Sequence, residues 1–206
     1  MQWIHYDESG YSELVISGCN TPQFLQKVCC ALAIEGLNIL SADVFTRKDG
    51  VIIDIFKVCT RDFKSAYEIG ESRRVVDHIY QLNSEKTYNP EEYLVVKRGI
   101  FDDEVTYNTM IPTQAAVDNE IDPRTSILIV QAVDRIGLLH DILHTVDQHE
   151  LIPIRARIST EKGAAMDWIY IKEKSGDRLT DPEKIQKLEL DVEKLLKHQG
   201  DGAKVK

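Results

Sequence analysis

Cysteine is scarce and badly placed for cross-linking: the chain of 206 residues has four, Cys19, Cys29, Cys30 and Cys59, all in its first third. No two form a CxxC pair, so neither a disulfide framework nor a zinc site is indicated. They read as small reduced core residues. Positive charge is also short, with 25 basic residues against 34 acidic ones, a net charge of −9 and a pI near 5.2. That balance excludes a broad cationic surface for a phosphate backbone, and nucleic acid is not an expected partner. No apolar run approaches the roughly 18 to 20 residues of a membrane-spanning helix. The N-terminus, Met1 to Asp7, lacks a basic stretch followed by an apolar one. A cytoplasmic protein without a membrane partner is expected. What remains is ordinary globular composition, 43% apolar and 29% charged, in a length suited to one large domain or two small ones.

One pattern is written twice. A strand-like segment from Tyr11 to Ser17 runs into Asn20-Thr21-Pro22-Gln23 and then a helical pattern with Phe24, Leu25, Val28, Cys29, Leu32 and Ala33 on one face. Asn20 or Thr21 is the expected cap, with Pro22 in the first turn and Gly36 at the end. Two strands, 37–46 and 51–60, follow around Lys48-Asp49-Gly50, a hairpin signal, and a charged helix is expected from about Phe63 to Leu82. The order returns in the second half. A strand at 126–133 leads to Asp134-Arg135-Ile136-Gly137, and Leu138, Leu139, Ile142, Leu143 and Val146 share a helical face. A hairpin at 151–160 and 164–172 then precedes a last helix opening at Thr180-Asp181-Pro182-Glu183.

Asn20 registers on Asp134 and Phe24 on Leu138, an offset of 114, whereas Asp54 registers on Asp167, an offset of 113. One residue is lost at the second hairpin turn, where deletions are cheapest. Short strand-like segments at 2–6 and 113–118 precede the two copies. The expected fold is therefore α+β: two ββαββα units, each an antiparallel sheet with two helices on one face. The expected boundaries are 1–84, a linker at 85–111, 112–198 and a polar tail at 199–206, with an additional strand at Tyr93 to Lys97 in the linker.

The Asp134-Arg135-Ile136-Gly137-Leu138-Leu139 turn, the Gly36-Leu37-Asn38-Ile39 entry to a second strand and the repeated order resemble a tandem pair of ACT domains, a ferredoxin-like fold. Val117-Asp118-Asn119-Glu120, Asp54 and Asp167 make the chain most similar to the C-terminal ACT pair of PII-protein uridylyltransferases and to stand-alone ACT-repeat proteins. The resemblance implies an allosteric sensor of a small ligand, an amino acid with glutamine favoured in nitrogen metabolism, acting on a regulated enzyme. It implies no catalysis and no cofactor in these residues.

The residues suit such a ligand on physical grounds. A turn running into a helix offers N–H groups and the positive end of the helix dipole to a carboxylate. Asp134 supplies a charge for an ammonium, Gly137 allows close backbone approach, and Arg135 is expected to face solvent. The resemblance adds Asn38 of the first unit, which would close the site formed by Asp134, Arg135, Ile136, Gly137 and Leu138 of the second. The reciprocal set, Asn20, Thr21, Gln23 and Ile152, departs from the family pattern at Gln23 and Ile152. One working site per chain is expected.

Other features read as structural. His140 and His144, at i and i+4, are placed by the helical wheel on a solvated face with no third metal ligand. Asp54 and Asp167, inside apolar strands at matching positions, suggest a shared task such as bonding a neighbouring backbone. Two other readings stand beside the sensor: an ACT interaction module that has lost its ligand, with a homodimer through sheet edges, and the regulatory fragment of a uridylyltransferase-like enzyme. Met1 at the head of the first unit favours a stand-alone protein over the fragment.

Overall fold

The structure, a computed structural model, describes residues 1–47, 49–62, 64–66, 69–84, 111–161 and 163–197. The expected strand at Tyr93 to Lys97, the linker after Ser84 up to 110 and the polar tail lie outside the described residues. The first unit comprises β1 (Gln2–Tyr6), β2 (Tyr11–Cys19), α1 (Phe24–Ile34), β3 (Asn38–Thr46), β4 (Val51–Cys59) and α2 (Ile69–Ser84). The second repeats it as β5 (Gln114–Asp118), β6 (Ser126–Val133), α3 (Leu138–Gln148), β7 (Leu151–Glu161), β8 (Ala164–Glu173) and α4 (Pro182–Lys197). All strands join one antiparallel sheet in the order β1-β2-β4-β3-β7-β8-β6-β5.

The units meet strand to strand. β3 pairs with β7 from Ser41↔Ser159 to Phe45↔Arg155. Asp43 and Arg157, equivalent positions at the offset of 114, pair with each other, so an approximate two-fold axis passes through the seam. Both strands carry the same irregularity, between Ile39 and Ser41 and between Pro153 and Arg155. The strict alternation of the strands sends Leu14, Ile16, Ala42, Phe56, Ala156, Ile158 and Ile169 to the helix-covered face. Those side chains and the helices form one continuous core across both units.

Joining the units changes what the helices bury. All 11 residues of α1 are buried, including Gln26 and Lys27 on what one unit alone would leave as its polar face. The reason is α3, which packs along α1. The same packing overturns the solvated placement of the histidines: His140 is buried, and His144 sits 2.9 Å from Gln26 Nε2 through its Nδ1. A helical wheel drawn for one unit contains no neighbouring helix, and the neighbour decided the outcome.

Three other expectations are corrected. Neither Asn20 nor Thr21 caps α1, and Pro22 lies outside it: the residue before the helix is Gln23, left-handed at φ 58° and making no side-chain cap bond. Gly137 takes the same place before α3 at φ 80°. The second helix begins at Ile69, later than expected, because Thr60 N–H donates to Lys64 O and Ala66 N–H to the Ser12 hydroxyl, tying this stretch to the sheet. Cys29, Cys30 and Cys59 are buried, but Cys19 is exposed at the end of β2. Its odd strand position faces away from the helices. α4 starts as its sequence signals, with Asp181 Oδ1 accepting from the Glu183 N–H at 2.9 Å. Among the described residues no helix is long and apolar enough to cross a membrane.

A candidate binding cleft at the seam

β6 ends by continuing its hairpin ladder: the Asp134 N–H donates to Gly163 O at 2.9 Å, as Asn20 does to Gly50 O at 2.8 Å in the first unit. The chain then turns, with Leu138 N–H on Arg135 O at 3.1 Å, matching Phe24 N–H on Thr21 O at 3.1 Å. A left-handed residue completes each turn, which glycine adopts freely at 137 and glutamine adopts at a cost at 23. The duplicated backbone is thus the same. The side chains on it are not.

In the second-unit turn, Asp134 is buried and points across the seam, where Asn38 Nδ2 of the first unit donates to its Oδ2 at 2.7 Å. Asn38 opens β3 opposite Cys59 of β4, so its position follows from the hairpin register. Burial raises the Asp134 carboxyl above the ordinary range, an effect opposed by the hydrogen bonds of Asn38 and the Thr160 hydroxyl and by the charge of Arg135. Burial and the nearby Asp134 charge push the Cys59 thiol up to about 11, so it is an inert neighbour.

Arg135 does not face solvent as expected. Its Nη2 donates to Asp141 Oδ2 at 2.6 Å and its Nη1 to Ile136 O at 3.3 Å, folding the guanidinium back over the first turn of α3. Asp141 also holds His140 Nδ1 at 3.1 Å, so the helix start is braced by a buried polar chain. Gly137 sits against the other unit: a Cβ there would lie 3.6 Å from Ala33 Cβ at the end of α1. Gly137, Leu138, Asp134 and Asn38 line one cleft with Thr160 and Asp167, while Ile136 packs at the edge of the core. The cleft volume of about 10 Å³ admits about one water.

The reciprocal set is not drawn together in this way. Asn20 and Gln23 are exposed, as is Ile152, where Asn38 has its counterpart. Thr21 Oγ1 donates to Asn83 Oδ1 at 2.6 Å and Gln23 Nε2 to Asp147 Oδ2 at 2.8 Å, so both side chains are occupied on the surface.

Two polar groups of the cleft escape sequence reasoning. Thr160 reaches it because, beyond the irregularity at Pro153 and Arg155, β7 places its even-numbered side chains on the helix-covered face. Asp167 shares an environment with Asp54, since each sits at an inward-facing position of its unit's fourth strand, β8 and β4. Phe45 N–H donates to Asp54 Oδ1 at 3.2 Å, the backbone bond expected of both. Burial raises Asp54 to about 6; for Asp167 burial and then the Asp134 charge raise it to about 8, with the Ser159 N–H pulling the other way. The repeat arithmetic matched the two aspartates; the pairing of β6 with β8 inside the second unit sets Asp167 near Asp134, where the first unit has the uncharged Asn20 at the equivalent position.

Two four-stranded antiparallel units with paired helices on one face, joined edge to edge, define a tandem ferredoxin-like α+β pair. Residues 114–199 match the model of the ACR9-like, ACT-like domain, so the second unit is an ACT-like domain. The chain is similar to a bifunctional uridylyltransferase/uridylyl-removing enzyme of Gluconobacter oxydans, 27% identical over 191 residues that make up 88% of this chain and 19% of that enzyme. The enzyme of the same description from Cereibacter sphaeroides is 29% identical over 173 residues, 82% of this chain and 18% of its own. The chain therefore spans about a fifth of the length of these relatives. Among solved structures, an aspartate kinase from Synechocystis covers 93% of this chain and 28% of its own, at 15% identity and a TM-score of 0.49.

Proposed function

We propose that this chain is a regulatory module that binds one small α-amino acid, glutamine favoured, in the cleft at the seam and passes its occupancy to an enzyme. One observation carries the reading: Asn38 of one unit and Asp134 of the other meet at 2.7 Å in a buried cleft at the start of α3. Asp134 and the Asn38 carbonyl suit an ammonium, and the first N–H groups of α3 suit a carboxylate. A zwitterion is the simplest ligand that presents both.

The small cleft volume makes binding an exchange. The ligand takes over Asn38 and Asp134 from each other, and the units must part locally to admit it. Because that bond spans the seam, a ligand favouring the parted form shifts the relation between units, which is the requirement for a signal. The relatives named as uridylyltransferase/uridylyl-removing enzymes support an enzyme of that kind as the regulated partner, in the same polypeptide or another. A cytoplasmic location and a role without catalysis or cofactor belong to the same reading. The reciprocal Asn20, Thr21, Gln23 and Ile152 set holds no ligand.

A ligand-free interaction module is the second reading, favoured by Phe45, Ile53, Ile55 and Met166, which are exposed on the helix-free face of the sheet. A homodimer would use that face or an outer edge at β1 or β5. A thermal-shift screen of the chain against the twenty amino acids separates the readings, because a ligand selective for the folded state raises apparent stability by RT ln(1 + [L]/Kd). A selective shift abolished in Asn38→Ala establishes the sensor. No shift at millimolar concentrations, with the protein folded, establishes the module.

A further inference from the structure

Asp167 is an aspartate where the strand pattern calls for an apolar residue. Its neighbours on the same face of β8, Ala165, Ile169 and Ile171, are buried in the core, and Asp167 itself is 1% exposed. Its carboxyl takes the Ser159 N–H as that of its repeat counterpart, Asp54, takes the Phe45 N–H, but its Oδ1 is buried with no hydrogen-bond partner among the described residues. Buried polar atoms are almost always satisfied, so an orphan in a cleft calls for an explanation other than packing. The cleft it lines is the one already described. Ile39, Leu139, Ile158 and Ala165 supply the apolar part of the lining beside its polar groups.

We propose that Asp167 reads the side chain of the bound amino acid, its unpartnered oxygen selecting a neutral group that both donates and accepts, a carboxamide or a hydroxyl, over an apolar or charged one. This rests on the amino-acid reading of the cleft. Asn38, Asp134 and the start of α3 are committed to the ligand's ammonium and carboxylate; of the polar groups left, Thr160 bonds Asp134, and Asp167 holds the unpartnered oxygen for the remainder. Burial and the Asp134 charge hold its carboxyl near 8, so at neutral pH it is mostly uncharged and presents an O–H and a carbonyl oxygen together. A carboxamide complements that pair with two hydrogen bonds. A lysine or arginine side chain would require the ionised form, which the burial and Asp134 disfavour. An aliphatic side chain would leave the orphan oxygen unpaired, and sites built around a hydrogen bond reject analogues that lack it.

Calorimetric titration of the full chain at pH 7 with glutamine, asparagine, serine and threonine, against leucine, valine and lysine, tests the proposal. At least one of the first four should bind tenfold or more tightly than all of the last three. In Asp167→Val, which suits a buried strand, that preference should fall at least tenfold, with leucine or valine gaining. Should that variant not fold, the carboxyl carbon resonance of Asp167 in aspartate-labelled wild type should move with glutamine saturation. Equal binding of leucine and glutamine, an unchanged preference in the folded variant, or a stationary resonance at saturation overturns the role of Asp167 while leaving the sensor. Silence from all seven with the protein folded overturns the role of Asp167 and the preference for glutamine, and silence in the twenty-amino-acid screen overturns the sensor itself.

Discussion

Stability of this protein should fall as pH rises from 5 to 8, and Asp167→Asn should remove most of that slope. Both Asp167 and Asp54 have folded values above the ordinary 3.8, near 8 and 6, because burial disfavours the charged form. A raised folded value means that the stabilisation is complete below about pH 4 and is lost as pH climbs through the folded value. Each proton held by the native but not the unfolded state contributes about 1.4 kcal/mol per pH unit. From pH 5 to 7, Asp167 should account for roughly 2.7 kcal/mol and Asp54 for about 1.4 kcal/mol, the latter mostly below pH 6. Asp134, raised by burial, acts with the same sign. Urea midpoints at constant ionic strength between pH 5 and 8 give the slope directly. The Asn variant, unable to ionise, should be nearly flat from pH 6 to 8. At pH 7 it should gain about 4 kcal/mol from removing the ionisation, less about 1 to 3 kcal/mol for an amide buried without a full set of partners. A wild type whose stability is level from pH 5 to 8, or a variant that keeps the full slope, would refute the placement of Asp167 as a buried, mostly neutral carboxyl.

Asn38→Ala leaves the buried Asp134 without its amide donor and should cost about 1 to 3 kcal/mol in chemical denaturation. Gly137→Leu places a side chain at φ 80° against Ala33 and should lose about 1 to 2 kcal/mol from backbone strain, with any displacement of α1 added, so circular dichroism melts must accompany any binding assay of this variant. Gln23→Gly relieves the matching left-handed strain in the first unit and removes only an exposed bond to Asp147; a gain of up to about 1 kcal/mol is expected, with no gain in ligand binding. Phe56→Ala empties the core beneath the first unit and should cost about 3 to 5 kcal/mol by the same denaturation assay.

The duplicated plan is legible in the sequence because it rests on local rules. Period 2 in the strands, period 3.6 in the helices, an Asp-Gly hairpin and an Asp-Pro helix start each depend on a few neighbouring residues. Those rules placed all eight strands within a residue or two and fixed the offset that pairs Asp54 with Asp167. Helix starts at Phe24 and Ile69 were harder, since the left-handed turn at Gln23 and the tie from Ala66 to Ser12 are set by distant hydrogen bonds and not by cap residues.

What one unit does to the other lay beyond such rules. Residue spacing alone could not decide that β3 pairs with β7, and with that pairing came the burial of Lys27, Gln26 and His140 and the meeting of Asn38 with Asp134. Each is a contact between residues about a hundred positions apart or a consequence of one. Periodicity reports which face of an element turns inward; it carries no information on what second element lies there. The sequence by itself determined the two units and the turn that ends in Gly137. The tertiary structure decided that Asn38 and Asp134 meet in a buried cleft, because the pairing of β3 with β7 sets the start of one unit's β3 against the turn of the other; the equivalent residues Ile152 and Asn20 stay exposed.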